Sequence, residues 1–452
     1  MLPCSHAFVT YDDAIAYLLT FADFERSGRF HQRPDLEPVR ALLRALGDPE
    51  TGRHTLHITG SKGKGSVAAM IESCLRAAGL STGFFTSPHL HDYTERIAVD
   101  GRPVSREEFA ALAERTREAV EAVAPQLGGR RLVTFDLLTA MGFLAFREHA
   151  VDVQVIEVGL GGRLDSTNVL ETKDVAVFTP ISLEHTDVLG DTPEAIARDK
   201  SGIITPGCIA VIAPQEHEGA FAVLREVAEA AGARTVDVAA EYRWRILERS
   251  LSGQTVEIER RAGLVHARLP LLGAHQTENA ATVVAALDAL QTGSGIAVTD
   301  EAMAAGLAAV RWPGRMEVLR GSPLVIADGA HNAASARRLV QALREYGYER
   351  VTFVVGSLAG KDTGALADEL APVAERVFTA RAEHPRAMAA EEVAAAFSRL
   401  TVPVRACASV REAVDKAMAV AERDGVICLL GSLFVAAEGR ESFSGGPGAA
   451  RR

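Results

Sequence analysis

The stretch His57–Met70, HITGSKGKGSVAAM, places glycines and lysines between an apolar strand-like run and an apolar helix-like run. Gly60 follows the strand, and Gly63–Ser66 open the helix. Glycines let backbone N–H groups converge on an anion, and the N-terminus of a helix adds partial positive charge. Lys64 could then reach phosphate oxygens, and the Ser66 hydroxyl could bind Mg²⁺. The spacing G-x-x-G-K-G-S is tighter than G-x-x-x-x-G-K-S, so a flexible basic turn is the alternative. The position between a strand and a helix favours a nucleotide phosphate site.

A metal near this loop needs further ligands, and one candidate lies in VDVQVIEVGLGGRLDSTN. Glu157 stands at the carboxyl end of an apolar strand, before Gly159, Gly161 and Gly162. Ligands of open α/β sheets collect at such strand ends. The alternative is a surface carboxylate that caps a loop, which would leave the glycine run unexplained.

Two further candidates lie in TPISLEHTDVLGDTPEAIARDKSGII, and each is weak by itself. The alternative to a ligand role for His185 is an ordinary loop histidine. The alternative to a site role for Lys200 is a solvated ion pair with its neighbour Asp199.

The elements that must position these residues alternate between strand and helix. We predict strands at 55–60, 81–87, 151–159, 174–180 and 208–214, and helices at 66–79, 105–123 and 134–149. This rhythm predicts a largely parallel sheet with helices on both faces. Between about 235 and 270, short alternating runs joined by SG and AG predict antiparallel strands appended to it.

A second domain is predicted after LQTGSGIAVTD (290–300), a small-residue stretch that we interpret as a linker. Strand-like runs resume in PLVIADG, RVTFVVGSL, RVFTAR, VPVRACAS and GVICLLGSLF. The predicted fold class is therefore α/β, with a mostly parallel sheet domain at 1–296 that carries the phosphate loop and a smaller α/β domain at 297–440. The tail 441–452, rich in glycine and serine, is predicted to be disordered.

Composition excludes several classes of function. Of the 452 residues, 48% are hydrophobic and 24% charged, which is typical of a globular protein, and no apolar run is long enough to span a membrane. The net charge of −11 disfavours a general nucleic-acid binder. Five scattered cysteines without a CxxC pair argue against a disulfide framework or a thiolate zinc site. We expect a cytoplasmic protein without nucleic-acid or membrane partners.

Nine segments together resemble the folylpolyglutamate synthase/dihydrofolate synthase family of the Mur ligase superfamily. They cover roughly residues 10–440 in the order expected of that family. The segments are HITGSKGKGS, FFTSPHLHDYTERIAVDG, TFDLLTAMGFLAF, EVGLGGRLDSTN, EHTDVLGDTPEAIARDKSGI, GAHQTENA, WPGRMEV, DGAHN and GSLFVAAEGRE. The pairing of TSPHL…ERI with GGRLDSTN distinguishes the folate branch from the cell-wall ligases.

The resemblance implies an ATP-dependent ligase that joins L-glutamate to dihydropteroate, to reduced folates, or to both. ATP would be held by the phosphate loop and by groups from both domains: Gly60, Ser61, Lys62, Gly63, Lys64, Gly65, Ser66, Asn279, Arg315, Asp328 and His331. Two Mg²⁺ ions would bind among Ser66, Ser87, Glu157, His185 and Lys200, the last as a carbamylated lysine. The implied catalytic groups are Lys64, Glu157, His185 and Lys200.

The pteroate part of the substrate would contact two segments. These are Thr134, Phe135, Asp136 and Leu137, and Leu164, Asp165 and Ser166. The loop around Gln32–Asp35 is a looser candidate. Two departures from the family pattern stand out: Ser61 and Lys62 replace a threonine and an asparagine, and Asp136 stands where glutamate is commoner. We expect nucleotide binding to survive the first departure, whereas the second could alter the pterin pocket.

Three alternatives stay open at this stage. A cell-wall amino-acid ligase should carry a UDP-binding domain of about 80–100 residues before the loop, whereas 59 residues precede Gly60. A nucleotide-hydrolysing switch should carry an N/TKxD motif, and GKDTG (360–364) lacks the preceding residue. A non-catalytic paralogue should have lost site residues that are present here. We expect a monomer, and the sequence leaves open which pteroate substrate is used.

Overall fold

Three sheets organise the chain in the computed structural model, which describes residues 10–28 and 35–443. The strands are β1 (His54–Thr59), β2 (Thr82–Phe85), β3 (Ile97–Val99), β4 (Arg102–Pro103), β5 (Val153–Glu157), β6 (Val175–Phe178), β7 (Ile209–Ile212), β8 (Arg234–Asp237), β9 (Arg243–Ser250), β10 (Gly253–Arg260), β11 (Gly263–Leu269), β12 (Glu317–Gly321), β13 (Leu324–Ala327), β14 (Val351–Val355), β15 (Ala374–Thr379), β16 (Val404–Ala406) and β17 (Val426–Leu430). The helices are α1 (Tyr11–Leu18), α2 (Phe24–Ser27), α3 (Glu37–Ala45), α4 (Lys64–Ala77), α5 (Arg106–Val123), α6 (Thr134–Glu148), α7 (Thr186–Leu189), α8 (Pro193–Lys200), α9 (Glu218–Ala230), α10 (Val238–Glu241), α11 (Ala274–Ser294), α12 (Asp300–Ala309), α13 (Ala333–Glu345), α14 (Thr363–Leu370), α15 (Ala390–Phe397), α16 (Val410–Val420) and α17 (Leu433–Glu441).

The first sheet has eight strands in the order β4-β3-β2-β5-β1-β6-β7-β8. The six strands from β2 to β8 in this order are parallel, and β3 and β4 form an antiparallel edge. Strands β1, β5 and β6 are buried almost throughout because helices cover both faces of the sheet. In the register of β1 and β5, Ile58 lies beside Glu157, so the carboxyl ends of the two central strands meet at one edge.

Helices divide the core of this domain into layers. On one face, α4 and α11 pack against the central strands. On the other face, α1 and α3 pack against α5 and α6. The three antiparallel strands β11-β10-β9 form the appended sheet that the sequence predicted.

The predicted linker at 290–300 is a turn between two helices of the first domain. Helix α11 continues to Ser294, and Gly295 ends it in the left-handed conformation. Helix α12 then packs against α4, where the Ser73 hydroxyl donates to the Gly306 carbonyl at 2.7 Å. The interpretation of 290–300 as the linker is therefore wrong, and a boundary at 296/297 falls one helix before the point where the chain leaves the first domain.

The second domain contains the sheet β12-β13-β17-β14-β15-β16, in which only β12 is antiparallel. Its five parallel strands correspond to the five strand-like runs that the sequence predicted. Residues 444–452 of the predicted tail lie outside the described residues, whereas Glu441 ends α17.

Within the described ranges, no helix combines the length and the apolar character needed to cross a membrane. Cys74, Cys208, Cys407 and Cys428 are free thiols in the interior of the protein.

Candidate functional site

The glycine loop runs from the end of β1 to the start of α4, as predicted. Gly63 caps the helix with a φ of 90°, and Lys64 is its first residue. The backbone N–H groups of Ser61 and Lys62 both donate to the Pro180 carbonyl, at 3.0 and 3.2 Å. Because the first turn of a helix has no intrahelical partners for its N–H groups, the amides from Gly63 onward are the ones suited to an anion.

The loop is packed so closely that its glycines have little room for a side chain. A Cβ on Gly60 would lie 1.9 Å from Thr179 Oγ1, and one on Gly63 would lie 2.8 Å from Asn279 Oδ1. The glycines therefore allow neighbouring groups to approach the backbone closely, which a merely flexible turn would not require.

Three lysines surround one carboxylate beside the loop. Lys200 Nζ, which is buried, donates to the Gly60 carbonyl at 2.9 Å and to Glu184 Oε1 at 3.0 Å. Lys64 Nζ donates to the same carbonyl at 3.0 Å, and Lys62 Nζ lies 3.8 Å from Glu184 Oε2. Burial alone would raise the pKa of Glu184, but the charges of Lys200, Lys64 and Lys62 lower it to about 2. Burial lowers the pKa of Lys62 to about 8. The cluster concentrates positive charge next to the helix N-terminus.

Glu157 ends β5 and faces this cluster from the neighbouring strand. It is 4% exposed and accepts a short hydrogen bond from the Thr86 hydroxyl and a longer one, at 3.4 Å, from the Ser87 N–H. Burial raises its pKa, and the charge of Lys64 opposes that effect. Glu157 is therefore a buried carboxylate with few donors, which distinguishes it from a surface residue capping a loop.

His185 adjoins the lysine cluster at the start of α7. It adopts a φ of 46°, and its ring lies 6.1 Å from the ring of Phe24. Burial lowers the pKa of His185 to about 4, so its imidazole is neutral at pH 7 and has an available ring lone pair.

The two segments predicted to hold the pteroate lie side by side. The Ser166 hydroxyl donates to Asp136 Oδ1 at 2.6 Å, and the Val133 N–H donates to Asp136 Oδ2 at 2.8 Å. Burial raises the pKa of Asp136 to about 6. Asp165 accepts from the N–H groups of Leu160 and Thr167. Phe135 lines the same cavity, and its ring lies 5.8 Å from that of Phe85.

Two of the predicted pteroate residues have mainly structural positions. Leu137 is fully buried in the helical core, and Leu138 lines the cavity in its place. The Thr134 hydroxyl donates to the Leu18 carbonyl at 3.0 Å, which anchors the start of α6 to α1. Of the looser candidates, Asp35 lines the cavity, whereas residues 32–34 lie outside the described residues.

The opposite wall comes from α11 and the second domain. Asn279 Nδ2 donates to Gln276 Oε1 at 3.0 Å, and Gln276 Nε2 lies 3.4 Å from Ser66 Oγ, which ties α11 to the phosphate loop. Asp328 follows β13 and accepts from the Met316 N–H at 2.8 Å, and burial raises its pKa.

Arg315 and His331 flank Asp328 in this wall. Arg315 Nη1 donates to the Gly314 carbonyl at 3.0 Å, and His331 Nδ1 lies 2.9 Å from the Gly329 carbonyl. Burial lowers the pKa of His331 to about 3, so its ring is neutral.

Most of these groups open into one cavity of about 1070 Å³ between the two domains. It extends from the phosphate loop to the segment 164–166 and is closed on the far side by residues of the second domain. This volume is at the upper end of the range for small-molecule sites. Every predicted site residue lines the cavity except Gly60, Leu137 and Lys200. Of these three, Lys200 still contacts the phosphate loop through the Gly60 carbonyl.

Sequence reasoning missed several groups that line or support the site. Glu184 and Gln276 lie in segments already singled out, where their polarity beside His185 and Asn279 was the available signal. Lys361 and Arg386 reach the cavity from loops of the second domain that carry no local pattern.

A metal site is not preformed from acidic and imidazole groups alone. Within the described part of the chain, no three His, Cys, Asp or Glu side chains converge closely enough to hold an ion. Glu157 with the hydroxyls of Ser66 and Ser87 offers the oxygen ligands of a cation that takes its remaining ligands from phosphate and water.

Comparison with known proteins agrees with this arrangement. Residues 115–287 match the Mur ligase middle domain, and residues 314–433 match the Mur ligase glutamate ligase domain. The "Probable bifunctional folylpolyglutamate synthase/dihydropteroate synthase" of Halobacterium salinarum is 39% identical over 96% of this chain, which spans about half (52%) of that relative. The "Dihydrofolate synthase/folylpolyglutamate synthase" of Mycobacterium tuberculosis is 35% identical, with 92% of this chain and 91% of the relative covered.

Two solved structures show the same architecture. The folylpolyglutamate synthase of Mycobacterium tuberculosis complexed with ADP superposes with a TM-score of 0.86 at 34% identity, covering 96% of this chain and 100% of that one. The Escherichia coli protein in complex with DHPP and ADP gives a TM-score of 0.84 at 30% identity, covering 96% and 98%. The chain therefore belongs to the folylpolyglutamate synthase/dihydrofolate synthase family of Mur ligases.

Proposed function

We propose that this protein is an ATP-dependent ligase that joins the amino group of L-glutamate to the carboxylate of dihydropteroate, to the γ-carboxylate of a reduced folate, or to both. The observation that carries the proposal is the single cavity, which contains the phosphate loop at one end and the segment 164–166 at the other. Structures of relatives with ADP, and with DHPP and ADP, support both ligand classes.

The chemistry requires activation of a carboxylate, which is a poor electrophile. Its oxygen attacks the γ-phosphorus of ATP and ADP leaves, which forms an acyl phosphate. The neutral amine of glutamate then attacks the acyl carbon, phosphate leaves, and the nitrogen loses a proton. Lys64 and the helix amides from Gly63 onward stabilise the negative charge on the transferring phosphoryl oxygens. Walls from both domains keep water away from the acyl phosphate.

We assign nucleotide contacts to the phosphate loop Gly60–Ser66 and to Asn279, Arg315, Asp328 and His331. Within the loop, Ser61 acts by holding its shape, because its hydroxyl donates to the Ser182 carbonyl at 2.9 Å. Thr134–Leu137 and Leu164–Ser166 form the pteroate end, with the direct contacts made by Phe135 and Asp165.

The residues present fit one Mg²⁺ ion well. Ser66, Ser87 and Glu157 would hold it, and a bound Mg²⁺ supplies charge neutralisation for the phosphates. Lys200 as an ammonium, bonded to Glu184 at 3.0 Å, does not fit a second cation beside it. A carbamate on Lys200 would replace the ammonium by a carboxylate, and with His185 it would fit a second ion. The second ion therefore depends on carbamylation, which intact mass at neutral pH would detect.

Small-molecule substrates are the partners that the cavity requires, and we propose a monomer because both walls of the cavity come from one chain. We also propose a cytoplasmic location, which agrees with the four free thiols of the described residues.

The proposal is tested by incubating the full chain with ATP, Mg²⁺ and glutamate, and offering dihydropteroate and tetrahydrofolate in separate reactions. We expect a glutamylated product of at least one substrate, identified by mass, with one ADP formed per bond. Nucleotide hydrolysis that does not depend on glutamate would contradict the ligase and favour the nucleotide switch.

A further inference from the structure

Lys173 is a buried lysine for which the proposed reaction has no use. It lies in the connection between β5 and β6 and is 6% exposed. Its Nζ donates to Asn168 Oδ1 and to the Ile203 carbonyl, each at 2.7 Å. Lysine is rarely buried without a partner of opposite charge, and among the described residues no carboxylate lies within ion-pair distance of it. A buried lysine that bonds only neutral oxygens indicates a positional role.

Both states of the amine can make these two bonds. Burial lowers the pKa of Lys173 to about 7, and a neutral amine keeps two N–H groups for its two acceptors. The contacts of Lys173 are therefore set by geometry and do not require its charge.

The two acceptors belong to different loops, and each loop leads to a part of the site. Asn168 ends the loop that contains the pteroate segment 164–166, and Ile203 follows Lys200 by three residues. The Asn168 side chain also donates to the Gly202 carbonyl at 2.9 Å. Lys173 and Asn168 together join the two loops at their base.

Closer to the cavity, the same loops touch through their backbones. The Arg163 N–H donates to the Asp199 carbonyl at 3.0 Å, and the Gly162 N–H donates to Asp199 Oδ1 at 3.0 Å. A Cβ on Gly162 would lie 2.6 Å from the Lys200 carbonyl oxygen. A small change in the separation of the loops would therefore alter the distance between the pteroate segment and Lys200.

We propose that Lys173 is a positioning residue that, with Asn168, sets the separation between the pteroate-binding loop and the segment that ends at Lys200. This inference rests on the proposed function for its kinetic consequence. Its structural part, that Lys173 and Asn168 hold residues 160–168 against residues 199–203, does not depend on the proposed function. Lys173 does not line the cavity, and its two hydrogen bonds go to Asn168 and Ile203, so it acts through the loops it joins.

The test compares three variants of the full chain. Lys173→Met keeps most of the volume and removes both donors. Lys173→Gln restores two N–H groups on a neutral, slightly shorter side chain. Arg260→Met is the control, because it removes another buried cation, paired with Asp288 at 3.0 Å, in the appended antiparallel sheet.

We expect Lys173→Met to lower kcat/KM for the pteroate substrate by on the order of 10- to 100-fold, because misplacing a binding group by about 1 Å has effects of this size. KM for that substrate should rise while KM for ATP stays close to the wild-type value. Lys173→Gln should recover part of the loss. Arg260→Met should lower the thermal midpoint and leave both KM values of the folded enzyme unchanged.

Hydrogen exchange separates this inference from the proposed function. In Lys173→Met, peptides covering 160–168 and 199–203 should exchange faster than in the wild type, whether or not product forms. If both peptides exchange as in the wild type, or if Lys173→Met changes only the thermal midpoint as Arg260→Met does, the positioning role is refuted. A wild-type protein that forms no product would refute the proposed function alone.

Discussion

The phosphate loop can be tested by adding one methyl group at either end of helix α4. Gly63 caps its N-terminus with φ 90°, and Gly79 follows its C-terminus with φ 82°. Alanine at either position costs about 1–2 kcal/mol, because L residues are strained in the left-handed region. The surroundings differ: a Cβ on Gly79 meets nothing within 4 Å, whereas one on Gly63 lies 2.8 Å from Asn279 Oδ1.

The extra effect of Gly63→Ala should therefore appear in nucleotide binding. Asn279 must move, and it carries with it Gln276, which contacts Ser66. We expect a loss of ATP affinity of at least about tenfold, or about 1.4 kcal/mol, whereas Gly79→Ala should bind ATP as the wild type does. Thermal unfolding measures the shared backbone cost, and calorimetric titration with a non-hydrolysable ATP analogue measures the difference. Equal affinities in the two variants would refute the assignment of the loop to phosphate binding.

Three further outcomes are expected. Lys64→Met should lower kcat by a few hundred-fold, about 3–4 kcal/mol, since it removes a charge that stabilises the transferring phosphoryl group; an unchanged single-turnover rate would contradict this role. Because burial raises the pKa of Asp136 from 3.8 to about 6, its protonated form is favoured in the folded state, so the free energy of unfolding should fall as pH rises between about 4 and 6. Asp136→Asn should remove this part of the pH dependence of the unfolding free energy, measured by urea denaturation at several pH values. If the wild type and the variant show the same pH dependence, Asp136 is not responsible. Gly306→Ala would place a Cβ 2.3 Å from Cys74 Cα and should destabilise the first domain by about 1–3 kcal/mol; an unchanged denaturation midpoint would contradict the packing of α12 on α4.

Much of the fold was predictable because apolar periodicity is a local signal. Strand β6 is a continuous apolar run, and β1 and β5 combine apolar residues with buried polar ones. Helices such as α4 and α5 begin at a glycine or at a capping serine. The error at 290–300 has a physical cause: small residues are typical of linkers between domains and also of helix ends within a domain, as at Gly295, which ends α11. Only the tertiary contact distinguishes the two.

The site was predictable where chemistry coincides with the end of an element. Glu157 at the end of β5 is an example, whereas Asp328, just after β13, was implied only by the family resemblance. The choice between Leu137 and Leu138 depends on the rotation of α6, which the sequence does not specify to one residue. Lys361 and Lys173 could not be found because their roles arise from contacts between distant segments.

The central claim is that one cavity holds the triphosphate and the pteroate together. A crystal structure of the protein with a non-hydrolysable ATP analogue and dihydropteroate tests it most directly. We predict phosphates against the amides that begin at Gly63, and a pterin ring beside Phe135 and Asp165, within the same cavity. Either ligand bound elsewhere, or a phosphate loop that stays empty at saturating nucleotide, would contradict the account.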